Sequence, residues 1–472
     1  MSERADVGSP PSSGKAPKAS DLRARLFVWS VWTVMVVAVL ACIARYAHNV
    51  PLAEDWLLVP PLTGHEPDLA SWLWAQNNEH RLPLPRLALL GLLRLTGGDF
   101  RSGMVFNVVL LAALSAGMIL VARRLRGRTS VADAFFPVAL LHLGNWANLV
   151  WGWQLQFVLS TTLVCCLLLL LVTQRTTLRP GPALAAGVCL VMLPLTGANG
   201  LVFVPLLAAG MVWEGLRLRR ARGSTGVPGW APLWLVGSSV VAVLISGLYF
   251  VGWERPSWNA SAGTDVGAAA ETSAKFFALG LGPGASRSWK LSILAVSAVL
   301  LTALVLVVRA VLQRRGVERH RAIGLCLFLG AAGLLAVVLG WGRPAGPGQA
   351  LPERYVLLAV PALCAAYFAS QLYSPPTVRR LMQGGLLAVM IVMLPINTSD
   401  GFTWRDWYGS GMGAVERDLD AGIPRSQLAA RHQSFLLHWN LDMLEANMEM
   451  LRRAGIGPFR HLQPDPTGLA QP

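Results

Sequence analysis

The sequence predicts an all-α, polytopic membrane protein. Three observations predict it. Hydrophobic residues make up 54% of the 472 positions and charged residues only 14%, against about a quarter charged in a soluble domain. Long apolar runs recur from Leu26 to Ile396, each near the ~20 residues a helix needs to cross a bilayer. More than half of the 40 Lys and Arg fall in the N-terminal tail and in every second connection between runs, which is the positive-inside pattern. Lipid offers the backbone no hydrogen bonds, so the runs must be helices.

Taken in order, residues 1–25 are rich in Ser, Pro, Gly and Lys and read as a disordered cytoplasmic tail. Residues 26–397 read as one transmembrane domain of about eleven spans. These lie near 26–45, 102–122, 131–144, 154–173, 182–197, 200–215, 231–252, 289–310, 321–341, 354–373 and 381–397. No small-residue cleavage site follows the first run, which is kept as an anchor. Arg123, Arg124, Arg126 and Arg128 follow the second span. Arg217, Arg219, Arg220 and Arg222 follow the sixth, Arg314, Arg315, Arg319 and Arg321 separate the eighth from the ninth, and Arg379 and Arg380 precede the eleventh. The alternation places the N-terminus in the cytoplasm and the C-terminus outside. The net charge of +15 is thereby explained by orientation on anionic lipid and not by nucleic acid.

The remaining connections are different. Residues 46–101 form a long outer loop, 253–288 a second, and 398–472 an outer helical tail with helices near 411–421, 425–432 and 434–454. In the first loop Asp68 can cap a short helix from Leu69 to Gln76. Leu82 to Leu95 is apolar but too short to cross, and suits an interfacial or re-entrant helix. Thirteen of the 18 tryptophans fall on this side, among them Trp56, Trp72, Trp74, Trp146, Trp253, Trp258 and Trp341. All six cysteines lie in apolar runs, without metal-ligand spacing, and read as packing residues.

Four constellations could carry chemistry, all on that side. Glu54 and Asp55 are adjacent carboxylates beside an apolar wall. Partial desolvation would raise their pKa values toward the range useful for proton abstraction, and the pair could also bind a divalent cation. A solvated acidic loop end is the plainer reading. Asn78, Glu79, His80 and Arg81 combine an amide, an acid, an imidazole and a guanidinium. Arg can clamp phosphate bidentately and His or Glu can accept a proton; a polar elbow between two interfacial helices is the alternative. Trp151, Trp153 and Gln154, with His142, Asn145 and Asn148 nearby, are residue types that stack on sugar faces and bond hydroxyls. An interfacial tryptophan girdle competes for the two indoles. Glu353, Arg354 and Tyr355 open the tenth span, with Arg343 before them. An Arg there either snorkels or holds a lipid phosphate. The run 196–200 is a Gly-rich turn with Asn199 as a weaker candidate.

An acidic residue just past the first span, followed by juxtamembrane helices, resembles the GT-C superfamily of integral-membrane glycosyltransferases. The Asn-Glu-His-Arg loop, the Trp-Gly-Trp-Gln segment and the late Arg-Tyr resemble bacterial membrane proteins of that type. The resemblance covers the architecture of all eleven spans on short motifs. It implies a polyprenyl-phosphate sugar donor, an envelope glycan or lipid acceptor, and inverting transfer of a hexose or pentose on the outer face. Asp55 matches the family's catalytic carboxylate, and Arg81, Arg343 or Arg354 would hold the departing phosphate. Many members carry Asp-x-Asp or paired Asp where this chain has Glu54-Asp55, so dependence on a cation such as Mg or Mn stays open. The large soluble C-terminal domain of some members is replaced here by a tail of about 75 residues. A flippase for lipid-linked saccharide, which predicts ionisable residues near the middle of spans, and a non-enzymatic envelope protein are the competing readings.

Overall fold

A computed structural model describes residues 19–174, 180–220, 228–257, 265–343 and 351–465. The expected tail therefore lies outside the described residues as far as residue 18, as do Arg222 and Trp258. From Ala19 the chain is already helical. Helix α1 runs Ala19–Tyr46 with Asp21 in its first turn and Arg45 in its last, the arrangement that the helix dipole favours. The polar residues 19–25, read as tail, are the first two turns of this helix.

Among the described residues, eight helices are long and apolar enough to cross a membrane. The segments expected as the third, fifth and sixth spans are shorter. Residues 131–145 form two 3-10 turns around Phe135–Leu141. Pro180–Met192 continues into the turn Leu193–Thr196, and Val204–Arg220 has 17 residues. Burial sorts the long helices into layers. In Glu353–Tyr373, 94% of the apolar window lies inside the protein, against 17% in α1. The former is the bundle's central post. Helices such as α1 and Trp289–Gln313 instead turn Val34, Leu294 and Val305 outward, where lipid satisfies them.

The loop after α1 holds the elements that position the candidate site. Ala53–Leu58 is a 3-10 turn. Helix α2, Leu69–Trp74, is capped by Asp68, whose side chain accepts from the amides of Ala70 and Ser71 at 3.1 Å each. Strands β1 (Gln76–Asn77) and β2 (His80–Arg81) pair antiparallel around Asn78, which has φ of +50°, a conformation Asn tolerates. Helix α3, Pro83–Leu95, starts on Pro and buries Leu89, Leu90 and Leu93. This is the short non-crossing helix expected from the sequence. Helix α4, Arg101–Arg126, follows. It closes on Gly127 at φ +78° with three Arg in its last turn, as helix C-termini prefer.

Two elements go beyond the sequence reading. The second outer loop contains a helix, α5 (Val266–Ala278), which the Asp265 side chain caps by accepting from Gly267 at 2.7 Å. The eleventh span does not end at 397. Helix α6 runs unbroken from Pro376 to Asp420, 45 residues and thus about 68 Å, roughly twice a bilayer's hydrocarbon core. Its polar stretch stays helical because it has partners. Buried Asn397 donates to the Leu281 carbonyl (2.8 Å) and accepts from the Gly284 amide (3.0 Å). Trp404 stacks between Trp146 and Tyr408 at 4.2 and 4.7 Å. The helices Arg425–His432 and Leu441–Arg453 then fold back on the first loop. Ala53 donates to the Leu436 carbonyl (2.9 Å), and Trp56 packs edge-on against Phe459 at 5.7 Å.

At the other end, Arg126 makes two 3.0 Å bonds to buried Asp133, which also accepts from the Tyr367 hydroxyl at 2.6 Å. Gln371 and Gln383 complete the network. Removing one partner would strand a buried charge, at a cost of about 3–5 kcal/mol. Asp133→Ala is expected to lower the thermal unfolding midpoint of the detergent-solubilised protein far more than Asp406→Ala at an exposed pair.

Candidate functional site

Asp55 sits at the centre of the loop's contacts. Its carboxylate is buried, 4% exposed. One oxygen accepts from the Trp153 amide at 3.1 Å and the other from the Leu52 amide at 3.4 Å. The first bond needs a close approach of two backbones. A Cβ on Gly103 would lie 3.0 Å from the Gly152 Cα, and a Cβ on Gly152 would lie 3.7 Å from the carboxylate. Ala53, just before the acids, has φ of +49°, a left-handed conformation that costs a non-glycine residue about 1–2 kcal/mol. Strain of this kind gathers where function over-determines the backbone.

Burial pushes the Asp55 carboxyl up to about 8, opposed by the Leu52 amide and reinforced by neighbouring Glu54. Glu54 is also raised by burial, against its own backbone hydrogen bond and the pull of Arg354. The charge of Arg354 reaches His80 as well. Burial first, and then Arg354, bring the imidazole down to about 4. His80 is therefore neutral near pH 7. Its Nδ1 accepts from the Ala198 amide at 3.4 Å and its Nε2 faces Glu79 at 3.5 Å, so the proton belongs on Nε2. His80 is thus in the form that can accept a proton, and burial beside Arg354 makes it a weak base. Among the described residues, the Arg354 guanidinium has no carboxylate within 4.0 Å and lies 5.6 Å over the Tyr355 ring.

The other predicted residues divide. Arg81 is not a phosphate clamp as it stands. Its guanidinium binds the carbonyls of Tyr249, Trp74 and Val251 at 2.8–2.9 Å, fixing the hairpin to the end of Ala231–Tyr249. Arg343 is ion-paired with Glu79. Asn78 serves the turn, its carbonyl accepting from Gln76 at 2.7 Å. Trp153 is 2% exposed, so its ring is core and cannot stack on a sugar; its amide is what matters here. Tyr355 is buried edge-on to Phe157 at 5.9 Å. Trp151 is half-buried. Its Nε1, with Gln154 Oε1, Asn148 Oδ1, Asn199 Nδ2 and Glu54 Oε2, is buried without a hydrogen-bond partner among the described residues. Buried polar atoms are normally paired, and these are groups a hydroxylated ligand could satisfy. Asn148 also donates to the Arg354 carbonyl at 3.0 Å. That bond joins the residue 145–154 segment to the start of the tenth span.

Arg86 was missed by sequence reasoning. It is 3% exposed on α3, donates to the Trp72 and Ala75 carbonyls, and lies 6.0 Å over the Trp153 ring. Burial brings its guanidinium down to about 10. The available signal was an Arg near the start of an otherwise apolar segment, apart from Arg94 at its end.

Among the described residues no three His, Cys, Asp or Glu side chains gather to hold a metal ion. A cavity of about 320 Å³ bordered by Arg124, Gln174, Glu214 and His320 lies at the opposite end of the bundle, away from this chemistry.

No family model and no curated protein matches the chain. The solved structure of ArnT from Cupriavidus metallidurans bound to undecaprenyl phosphate aligns with 94% of this chain and 78% of that one, at 15% identity and a TM-score of 0.43. At that distance neither residues nor activity transfer, and the site stands on its own geometry.

A raised carboxyl has a defined effect on stability. Above about pH 4 the unfolded chain ionises Asp55, while the folded protein keeps it protonated until about pH 8. Stability is therefore lost as pH rises through that window. The unfolding midpoint of wild type should fall from pH 5 to pH 8.5. Asp55→Asn, which keeps an acceptor for the Trp153 amide, should flatten that slope and be more stable at the alkaline end, by the order of a few kcal/mol.

Proposed function

We propose that the protein is a membrane glycosyltransferase that moves a sugar from a polyprenyl-phosphate donor to a glycan or lipid hydroxyl. The observation that carries this reading is the buried Asp55 carboxylate with half-buried Glu54 beside it, within the field of an Arg354 guanidinium that has no carboxylate of its own, next to several buried polar atoms without partners. Asp55, once ionised, takes the proton of the acceptor hydroxyl as its oxygen attacks the anomeric carbon. The bond from that carbon to the phosphate oxygen breaks, and the phosphate leaves with the electron pair. Arg354 offsets the charge that develops on it, the kind of electrostatic help that dominates such reactions. Attack opposite the leaving group inverts the anomeric centre. Asn148, Gln154 and Asn199 bind sugar hydroxyls. The site adjoins the membrane at the end of the bundle opposite the basic connections, which supports action on the outer face.

Coupled transport is less well supported. The buried charged residues Asp55, Arg81, Arg86, Asp133, Lys275 and Arg321 lie in loops, near helix ends or on short helices. Transport would call for ionisable groups near the middle of spans.

The test is transfer in vitro from a labelled polyprenyl-phosphate hexose or pentose, read as release of polyprenyl phosphate. Asp55→Asn should lose about 10²-fold or more, and Arg354→Ala a similar factor in kcat. Wild-type activity should climb with pH toward a plateau above about 8. Normal transfer by both variants would overturn the assigned roles.

A further inference from the structure

At the end of the bundle opposite Asp55, a polar cavity of about 280 Å³ opens between the start of α1, the residues after α4 and the start of α6. Its floor is Arg126, already neutralised by Asp133. Around the rim stand Arg128, Arg379 and Arg380 against one acid, Asp21. The Asp21 carboxylate accepts the Thr129 amide at 2.8 Å. None of the three rim arginines has an ion pair among the described residues.

Two features are unfavourable unless an anion is present. Arg379 and Arg380 stand at the fourth and fifth positions of the 45-residue α6, whose first turn contains no acidic residue. Cations at the positive end of a helix dipole are destabilising, and a phosphate there is stabilised by the same dipole. Independently, Thr129 lines the cavity at 5% exposure, and its buried Oγ1 has no hydrogen-bond partner. A basic loop that merely faces anionic lipid has no need of a walled cavity or of a buried unpaired hydroxyl. The volume is several times the ~30 Å³ that one water occupies in the liquid.

We infer that this cavity is a phosphate-binding site, formed by Arg128, Arg379, Arg380 and the Thr129 hydroxyl. Guanidinium forks match a tetrahedral oxyanion in geometry as well as in charge. The group bound is a phosphate dianion or monoester, and it has two sources: free phosphate, or the head of a monoester lipid such as phosphatidate. The site is separate from the chemistry at Asp55 and does not depend on it.

The test uses the full chain purified in detergent. Inorganic phosphate is titrated at constant ionic strength against chloride, and phosphatidate against phosphatidylcholine is followed by native mass spectrometry. Saturable binding of both probes, or of phosphate alone, supports the site with the free ion as a source. Binding of phosphatidate alone supports it with the lipid head as the source. Arg379→Gln with Arg380→Gln should weaken binding at least tenfold, and Thr129→Val several-fold. Arg219→Gln with Arg220→Gln, an equal loss of charge at exposed positions outside the cavity, should leave binding unchanged. All variants should elute as wild type does on size exclusion. Absence of binding beyond chloride and phosphatidylcholine overturns the inference. An equal loss in the Arg219/Arg220 control overturns it too, because non-specific surface charge would then account for the effect.

Discussion

The hydrogen bond from the Trp153 amide to Asp55 fixes the loop after α1 to the turn that opens the fourth span. The position of the candidate acid depends on it. The bond brings a carboxylate into a region with almost no water. There it must stay protonated or find a compensating positive charge. Two glycines make the approach possible, Gly103 on α4 and Gly152 on the turn. A strained Ala53 aims the acids inward. The cost of the strain and of burying an acid is offset by the C-terminal segment, which folds back to cover the loop through Leu436 and Phe459.

That segment explains why α6 is so long. A helix leaving the bilayer would ordinarily end where its apolar pattern ends. Here Asn397 finds a partner at Leu281, Trp404 at Trp146, and the Tyr408 hydroxyl at the His48 amide, and so the helix continues. His48 at the end of α1 bonds Glu416 on the same helix at 2.8 Å. The result is a clamp: α1 enters the loop, the loop presents the acids, and α6 with its two following helices closes over the back of it.

The elements read correctly from sequence are those governed by local rules. Asp68 caps its helix because capping is decided within three residues. The segment 83–95 fails to span because length alone decides that. The helix 425–432 is bounded by Pro424 and by its own periodicity. What the sequence did not disclose depends on long-range contacts. Arg81 looked available, yet Tyr249 and Val251, some 170 positions later, take up its donors. Trp153 looked like a sugar platform, but its side-chain direction is set by a 3-10 turn, where no helical or strand period applies. The same limit hid the partnership of Arg126 with Asp133. The charge of Arg126 read only as a topology signal, although it forms a buried ion pair with Asp133.

The choice among the three arginines that might receive a phosphate follows from charge accounting. Arg81 is held by carbonyls and Arg343 by Glu79. A ligand recruiting either would have to break bonds in a region of low dielectric, where an unpaired buried group is costly. Arg354 has no carboxylate to give up, and its field already acts on Glu54 and His80. When a phosphate leaves with its electron pair, Arg354 can respond without losing an existing ion pair. The same field keeps His80 neutral, because a second positive charge beside Arg354 in a buried position would be repelled by it.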